Sequence, residues 1–432
     1  MSLFNNKRKH RDTVHVPGRR RLLVSQLELG MYVCELDRPW RESDFLFQGF
    51  ALLDVEQIRA LRQRCDFVYV DETRRLPLGA DGMVAVSVRP TKIQRSLPAT
   101  PLSEEIEHAY DAFHAGARLL DEVLADVQLG RPIDTRACHV VVRRNLESML
   151  RNESAMLWLA RLKTQDVYTS LHCLSVSILA MGFGKHLGLP DARIELLGMA
   201  GLLHDVGKMK IDPQVLNKPG KLTTEEFEHI KQHPSFGYRA LCAQEDIPGA
   251  AVQAAYGHHE RLDGTGYPLG LDRSQIPFVT RVVTIVDAFD AITSHRSYDR
   301  ARPIQAAYDV LRSGSDRQFD ERLVGEFIRW LGVFPVGSLV ELHSGEVALV
   351  LERHAQLQLR PKVVVLRDAQ KNPCAPRYLD LSRITVDSEG TPYRISNGLA
   401  DGTHGLFIAD DQLQAILHPE SLAVLELDTE SS

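Results

Sequence analysis

The stretch Gly201–Lys210, GLLHDVGKMK, decides how the chain is read. An apolar helical run ends in His204 and Asp205, and Gly207 and Lys208 follow at once. A histidine and an acid in tandem have two physical readings, a buried hydrogen-bonded pair or two metal ligands. The dipeptide alone does not choose between them, so the choice rests on what the rest of the chain supplies.

Working outward, AMLWLARLKTQDVYTSLHCLSVSILAMGFGKHLGL (155–189) has the period of one or two amphipathic helices and puts His172 mid-helix. Pro190-Asp191 then starts the helix that runs into the opening motif. Downstream, LTTEEFEHIKQHPSFGYRAL (222–241) has Thr223 and Glu226 in capping-box spacing and carries His233 into a Pro-containing break. His258 and His259 open HHERLDGTGYP, and Asp287 lies in the helix PFVTRVVTIVDAFDAITSH, with Pro277 suited to its first turn. Nearly everything from about 132 to 331 is helical in period. Ahead of it, SEEIEHAYDAFHAGARLLDEVLADVQLG (103–130) reads as a helix. Ser103 suits its N-cap, and Glu104 and Glu105 put negative charge in its first turn; Ile106 excludes a full capping box.

The flanks differ. MYVCELD and FVYVDE read as strands and VEQIRALRQRC as a helix, a small α+β module that leaves through the Pro- and Gly-containing linker LPLGADGMVAVSVRPTKIQRSLPATP. After Phe334, GSLVELHSGEVALVLE reads as a β-hairpin turning at Ser344-Gly345, and PKVVVLRD as a further strand. The expected organisation is a basic flexible tail (1–21), an α+β accessory module with its linker (22–100), connecting helices (101–150), a catalytic helical domain (151–332) and a β-rich C-terminal module (333–432). The fold class is mainly α.

With 432 residues, two or three domains are expected. The composition, 44% hydrophobic and 25% charged, is that of a soluble globular protein, and a net charge of −6 gives no global attraction to a nucleic acid duplex or an anionic membrane. The local exception is NNKRKHRDTVHVPGRRR (5–21), read as a solvated tail or as a membrane-surface or partner contact. No apolar run is long enough to span a bilayer and no secretory signal opens the chain. Six scattered cysteines (34, 65, 138, 173, 242 and 374) fit reduced thiols in a cytoplasm.

His172, His204, Asp205, His233, His258, His259 and Asp287 are thus seven imidazoles and carboxylates from five segments, most of them beside apolar residues. Singly, each is readily a satisfied polar residue; Asp287, for example, has Arg281 as a candidate partner. Jointly they are difficult to bury, because each unpaired polar group costs about 1–3 kcal/mol. A metal cluster satisfies them together. The donor set suits iron, manganese or zinc, and seven ligands are too many for one open catalytic ion, which points to two ions roughly 3.5–4 Å apart. His229 is read as a surface residue, His295 as structural and His186 as a helix C-terminal charge partner.

The ordered motifs YTSLHCLSVS, LLHDVGK, LNKPGKLTTEEFEHIKQHPSFGY, HHERLDGTGYP and VVTIVDAFDAITS resemble the HD-GYP family, a bacterial subgroup of the HD metal-dependent phosphohydrolases, over roughly residues 155–330. GMYVCELDRPW and FLFQGFALL look like a module found ahead of such domains. The resemblance implies an HD-type helical bundle that hydrolyses cyclic di-GMP to pGpG, or onward to GMP, with water activated between two divalent ions, most often iron or manganese. The implied ligands are the seven residues above, with Asp205 as the bridge. Family members with a third metal use a Glu where Tyr168 stands, so two ions are expected here. Lys208, four residues after His204, is expected on the same helical face, beside the reacting phosphate. Tyr267, from the Gly266-Tyr267-Pro268 triplet, is expected to stack on a base or shape the lip of the site. Asp263 is expected to orient that loop or a ligand histidine. RSYDR keeps Arg296 of the usual basic pair but has Asp299 in the second place, leaving Arg300 as the substitute substrate contact. Protein partners such as diguanylate cyclase-type domains, and an oligomer, are compatible with the resemblance. Two rival readings stay open: a receptor that binds a cyclic dinucleotide or a partner without turnover, and an HD hydrolase of another nucleotide.

Overall fold

A computed structural model describes residues 19–37, 50–52, 55–72, 75, 100–162, 168–218, 220–244, 246–294, 302–354, 357–383, 386 and 390–408. Arg296, Asp299, Arg300 and His295 lie outside them, as does most of the expected linker. The chain forms two compact units, residues 1–88 and 89–432.

The first unit is α+β. Strands β1 (Arg19–Leu23), β2 (Tyr32–Leu36) and β3 (Phe50–Ala51), helix α1 (Val55–Arg64) and strand β4 (Phe67–Asp71) build an antiparallel sheet of order β1-β4-β2-β3. Alternation drives it: Val68 and Val70 of β4 and Leu22 of β1 turn inward onto Ile58 and Leu61 of α1. Arg19–Arg21, expected in the flexible tail, instead form part of β1, paired with Tyr69–Asp71. Arg20 and Arg21 stay exposed there; the ladder needs only their backbone, and Leu22 supplies the buried face.

The second unit opens with α2 (Leu102–Leu129) and α3 (Thr135–Arg151). Helix α2 starts one residue before Ser103. Pro101 takes the N-cap position with extended backbone, and its carbonyl accepts from Glu104 and Glu105 N–H at 3.1 Å each, so the serine lies inside the first turn. Helices α4 (Glu153–Leu159), α5 (Tyr168–His186), α6 (Asp191–Leu203), α7 (Pro213–Leu216), α8 (Thr224–Ile230), α9 (His233–Cys242), α10 (Gly249–Gly257), α11 (Phe278–Thr293), α12 (Ile304–Ser313) and α13 (Glu321–Leu331) follow. Residues of α2 and α3 share one continuous core with the later helices, so these two do more than connect. Helix α5 is buried on all sides from Ser170 to Gly184 rather than amphipathic, because α2, α6 and α11 pack around it. His186 closes α5 and lies 3.3 Å from Glu326, the C-terminal charge pairing expected. Thr223 and Glu226 complete a capping box at α8, with bonds of 3.2 and 2.8 Å.

Strands β5 (Leu339–Leu342), β6 (Val347–Glu352), β7 (Lys362–Arg367), β8 (Pro373–Asp380) and β9 (Ile395–Leu399) form an antiparallel sheet of order β8-β7-β6-β5-β9. The β5–β6 hairpin turns where expected, with Gly345 at φ 82°. The apolar runs of β6 and β7 are continuous because both faces are covered. Leu349, Leu351, Val364 and Leu366 join the helical core, while Val350, Val363 and Val365 form a second core on the other side.

Candidate metal centre

Helix ends and two helix interiors deliver the site. His172 comes from the middle of α5 and Asp287 from α11. His204 is the C-cap of α6, with Asp205 next to it; His233 is the first residue of α9; His258 is the C-cap of α10, with His259 following. All seven converge. Asp205 lies at the centre, and its two oxygens face different halves. Oδ2 is 3.5 Å from His172 Nε2 and 3.3 Å from His204 Nε2, and Asp287 Oδ1 lies 3.1 and 3.7 Å from the same two nitrogens. Oδ1 is 3.3 Å from His233 Nε2 and 3.5 Å from His258 Nε2. The ring of His259 packs on that second half, 4.2 Å from His258 and 5.0 Å from His233.

Four of the five rings are pinned from behind. Nδ1 of His204 meets Gly201 O at 2.8 Å, that of His233 meets Ile230 O at 2.7 Å, and that of His258 meets Ala254 O and Ala255 O at 3.1 Å each. A carbonyl only accepts, so each Nδ1 carries a proton and each ring is turned with Nε2 towards the centre of the cluster, where Nε2 of His233 and His258 lie 3.2 Å apart. His172 is held differently: its Nδ1 lies 2.6 Å from Asp290 Oδ2, a buried carboxylate. Sequence reasoning missed Asp290. The available signal was its spacing, three residues after Asp287 and so on the same face of an apolar helix.

The electrostatics divide along the same line. Burial opposes charge on His172, yet Asp205, Asp287 and Asp290 overcome it and raise its pKa to about 9. His204 is likewise raised well above the ordinary value against burial, by Asp205 first. Burial, then the neighbouring imidazoles, push His259 well below the ordinary range; His258 is lowered mainly by burial. Asp205 and Asp287 are held far below the usual carboxylate range although burial opposes it, Asp205 chiefly by Lys208 and His204. The carboxylate-rich half attracts positive charge, whereas burial disfavours it on His258 and His259 in the other half.

The residues fit divalent cations. His204 Nε2 and Asp205 Oδ1 are buried and make no hydrogen bond, a cost that coordination would remove. Two ligand sets, His172/His204/Asp287 and His233/His258/His259, each bring donor atoms within 4.8 Å of one another. Imidazole plus carboxylate is a donor set for iron, manganese or zinc.

The surrounding motif is shaped by close backbone approach. A Cβ on Gly207 would lie 2.0 Å from His233 O, and one on Gly266 2.4 Å from Arg261 N. The first lets the loop after Asp205 pack on the start of α9; the second lets the Tyr267 loop lie on the Glu260–Arg261 backbone. Buried Glu260, also missed from sequence, accepts from Leu269 N at 2.7 Å and Leu271 N at 2.9 Å, which anchors that loop. Tyr267, followed by a cis peptide bond to Pro268, stacks on His259 with ring centres 4.7 Å apart. Asp263 accepts from Arg261 and Thr265 and so orients the loop. Contrary to the expectation from its spacing, Lys208 does not continue α6. The chain turns into a tight 3-10 segment, Val206–Lys210, and the lysine ammonium folds back to donate to Asp205 Oδ2. Arg281 pairs with Asp320 at 3.0 Å, and His229 lies apart from the cluster, near Asp212 N.

Comparison with known proteins agrees with this arrangement. A family model described as an HD domain matches residues 145–323, a domain of unknown function matches 19–138, and a KOW domain associated with HD domains matches 339–394. A cyclic di-GMP phosphodiesterase of Pseudomonas aeruginosa is 37% identical over 375 residues, 84% of this chain and 89% of that protein. A cyclic di-GMP phosphodiesterase response regulator of Xanthomonas campestris pv. campestris is 38% identical over 181 residues, 41% of this chain and 48% of that protein. A 3'3'-cGAMP-specific phosphodiesterase of Vibrio cholerae is 32% identical over 168 residues, 39% of this chain and 36% of that protein. The class is therefore that of HD-domain phosphohydrolases. Within it, the chain belongs to the HD-GYP phosphodiesterases.

Proposed function

We propose that the protein is a cytoplasmic enzyme that hydrolyses cyclic di-GMP to pGpG with two divalent cations, iron or manganese, held by His172, His204, Asp205, His233, His258, His259 and Asp287. The observation that carries the two-ion reading is the division of Asp205: one oxygen faces His172 and His204, the other faces His233 and His258. A carboxylate so placed serves both halves at once. All six cysteines are free thiols, and among the described residues no helix is long and apolar enough to cross a membrane.

Bound divalent cations supply Lewis acidity to a phosphodiester and lower the pKa of water towards neutrality. The chain's own residues do the rest. Pinned Nδ1–H groups keep four imidazoles facing inward, so little reorganisation is needed when the site is filled. Lys208 holds a positive charge against Asp205, at a place where charge gathers on the non-bridging phosphate oxygens as water attacks. Tyr267, fixed by its stacking on His259, lines the approach to that half. Arg296 and Arg300 are proposed as further contacts to the substrate.

The test is turnover by protein purified without oxygen and loaded with Mn2+ or Fe2+, with products separated by chromatography. Cyclic di-GMP and 3'3'-cGAMP are offered in parallel, because both substrates name relatives of this chain. Formation of pGpG from cyclic di-GMP supports the reading. Binding of a cyclic dinucleotide without hydrolysis of any would contradict it in favour of a receptor, and exclusive turnover of the mixed dinucleotide would reassign the substrate.

A further inference from the structure

A cyclic dinucleotide carries two phosphodiesters closed into one ring. While one sits at the reacting centre, ring closure keeps the other close by, and its negative charge has to be met. Resting on the function proposed above, we infer that Lys231, held over Phe227, forms the subsite for this second phosphodiester.

Lys231 is the C-cap of α8, two residues before His233, so it stands where the chain enters the cluster. Its ammonium lies 5.3 Å from the ring centre of Tyr267, the residue stacked on His259, and 5.7 Å from that of Phe227. Both distances are within the cation–π range of about 6 Å. The two aromatic rings therefore fix a positive charge at the rim rather than leaving it to wander.

Among the described residues, other cations of these segments are already committed. Lys208 pairs with Asp205 at the centre. Lys218 donates to both oxygens of Glu226, at 2.8 and 2.7 Å. Arg261 is spread over Asp263, Thr265 and Gln318. Lys231 pairs through a single bond of 2.9 Å with Glu228, whose side chain is 59% exposed while that of Lys231 is 27% exposed. With its carboxylate in solvent, such a pair is worth little and can be exchanged for a phosphate. Phe227 is 48% exposed, so apolar surface is also presented beside the cation, where a nucleobase would cover it.

The test compares Lys231→Ala and Lys231→Arg with wild type on two substrates, cyclic di-GMP and bis(p-nitrophenyl) phosphate, which has a single phosphodiester. The alanine variant should raise KM for cyclic di-GMP about tenfold with little change in kcat, and arginine should restore most of it. On the single diester, KM should not rise. An unchanged KM for cyclic di-GMP in an active enzyme overturns the subsite alone, as does an equal rise on both substrates. A wild type that cleaves the simple diester but no cyclic dinucleotide defeats the proposed function, and the subsite with it.

Discussion

Two clusters of charged groups lie in the unit of residues 89–432, one half-buried and one buried, and they are built on opposite terms. At Glu153, where the helices meet the C-terminal sheet, the carboxylate is fully met. Oε1 accepts from Trp330 Nε1 at 2.7 Å and Arg353 Nη2 at 3.0 Å, and Oε2 lies 3.5 Å from Lys185. Arg353 also donates to Trp330 O, which leaves only its Nε without a partner in this group. At Asp205 the hydrogen bonds run outward instead. The imidazoles spend Nδ1 on backbone carbonyls and Asp290, and turn Nε2 towards one another and towards carboxylates. Burial of charge alone therefore says little about function. A cluster whose donors and acceptors are matched staples two elements together. A cluster whose lone pairs converge can instead be satisfied by a cation.

The comparison breaks most visibly at its centre. Asp205→Ala should strip both ions and lower turnover by on the order of 10³-fold. Elemental analysis beside the rate checks this, and retained turnover would show that the bridge is misplaced. Lys208→Ala should lower kcat by about a hundredfold while the metal content stays normal. Loss of metal in that variant would make the lysine a structural partner of Asp205.

Asp290→Ala sharpens the asymmetry between the halves. Removing the carboxylate behind His172 should weaken one equivalent of metal by about 10–100-fold and leave the other in place, as read by metal titration. Equal loss at both sites would mean that the halves do not act separately.

The smallest effect belongs to the matched cluster. Burial opposes ionisation of Glu153, but Arg353, Lys185 and the Trp330 indole win and hold its carboxyl below the ordinary 4.5. A group lowered on folding stabilises above its unfolded pKa and loses that contribution as pH falls through its folded pKa. Glu153→Gln should thus lower thermal stability at pH 7 by about 1–3 kcal/mol, with the gap to wild type closing below pH 4.5 and metal content unchanged. A gap that persists in acid would assign the loss to packing.

The seven clustered residues were legible because most sit in an apolar context at a helix end or interior, where an unpaired polar group is expensive. The supporting groups were less so. Asp290 and Glu260 each act through another residue; Asp290 left only its spacing from Asp287 as a signal, and Glu260 left no motif. Lys208 was given the right neighbourhood by the wrong route. Its spacing from His204 assumed a continuing helix, whereas Gly207 allows the chain to turn hard against His233. The hairpin β5–β6 and strand β7 stood out through their apolar runs. Strands β8 and β9 did not: they are the edges of the sheet, and PCAPRYLD and ISNGL carry the proline and polar residues that edges tolerate. The buried polar serines of α5 hid its central position, because Ser175 and Ser177 satisfy themselves on nearby carbonyls at 2.7–2.9 Å and need no solvent.

The central claim is that one aspartate joins two ligand sets around two cations. Counting metal per chain in protein purified without oxygen tests it most directly. The account predicts two equivalents of divalent ion, both lost in Asp205→Ala; a single equivalent in wild type, or two that survive the substitution, would contradict it.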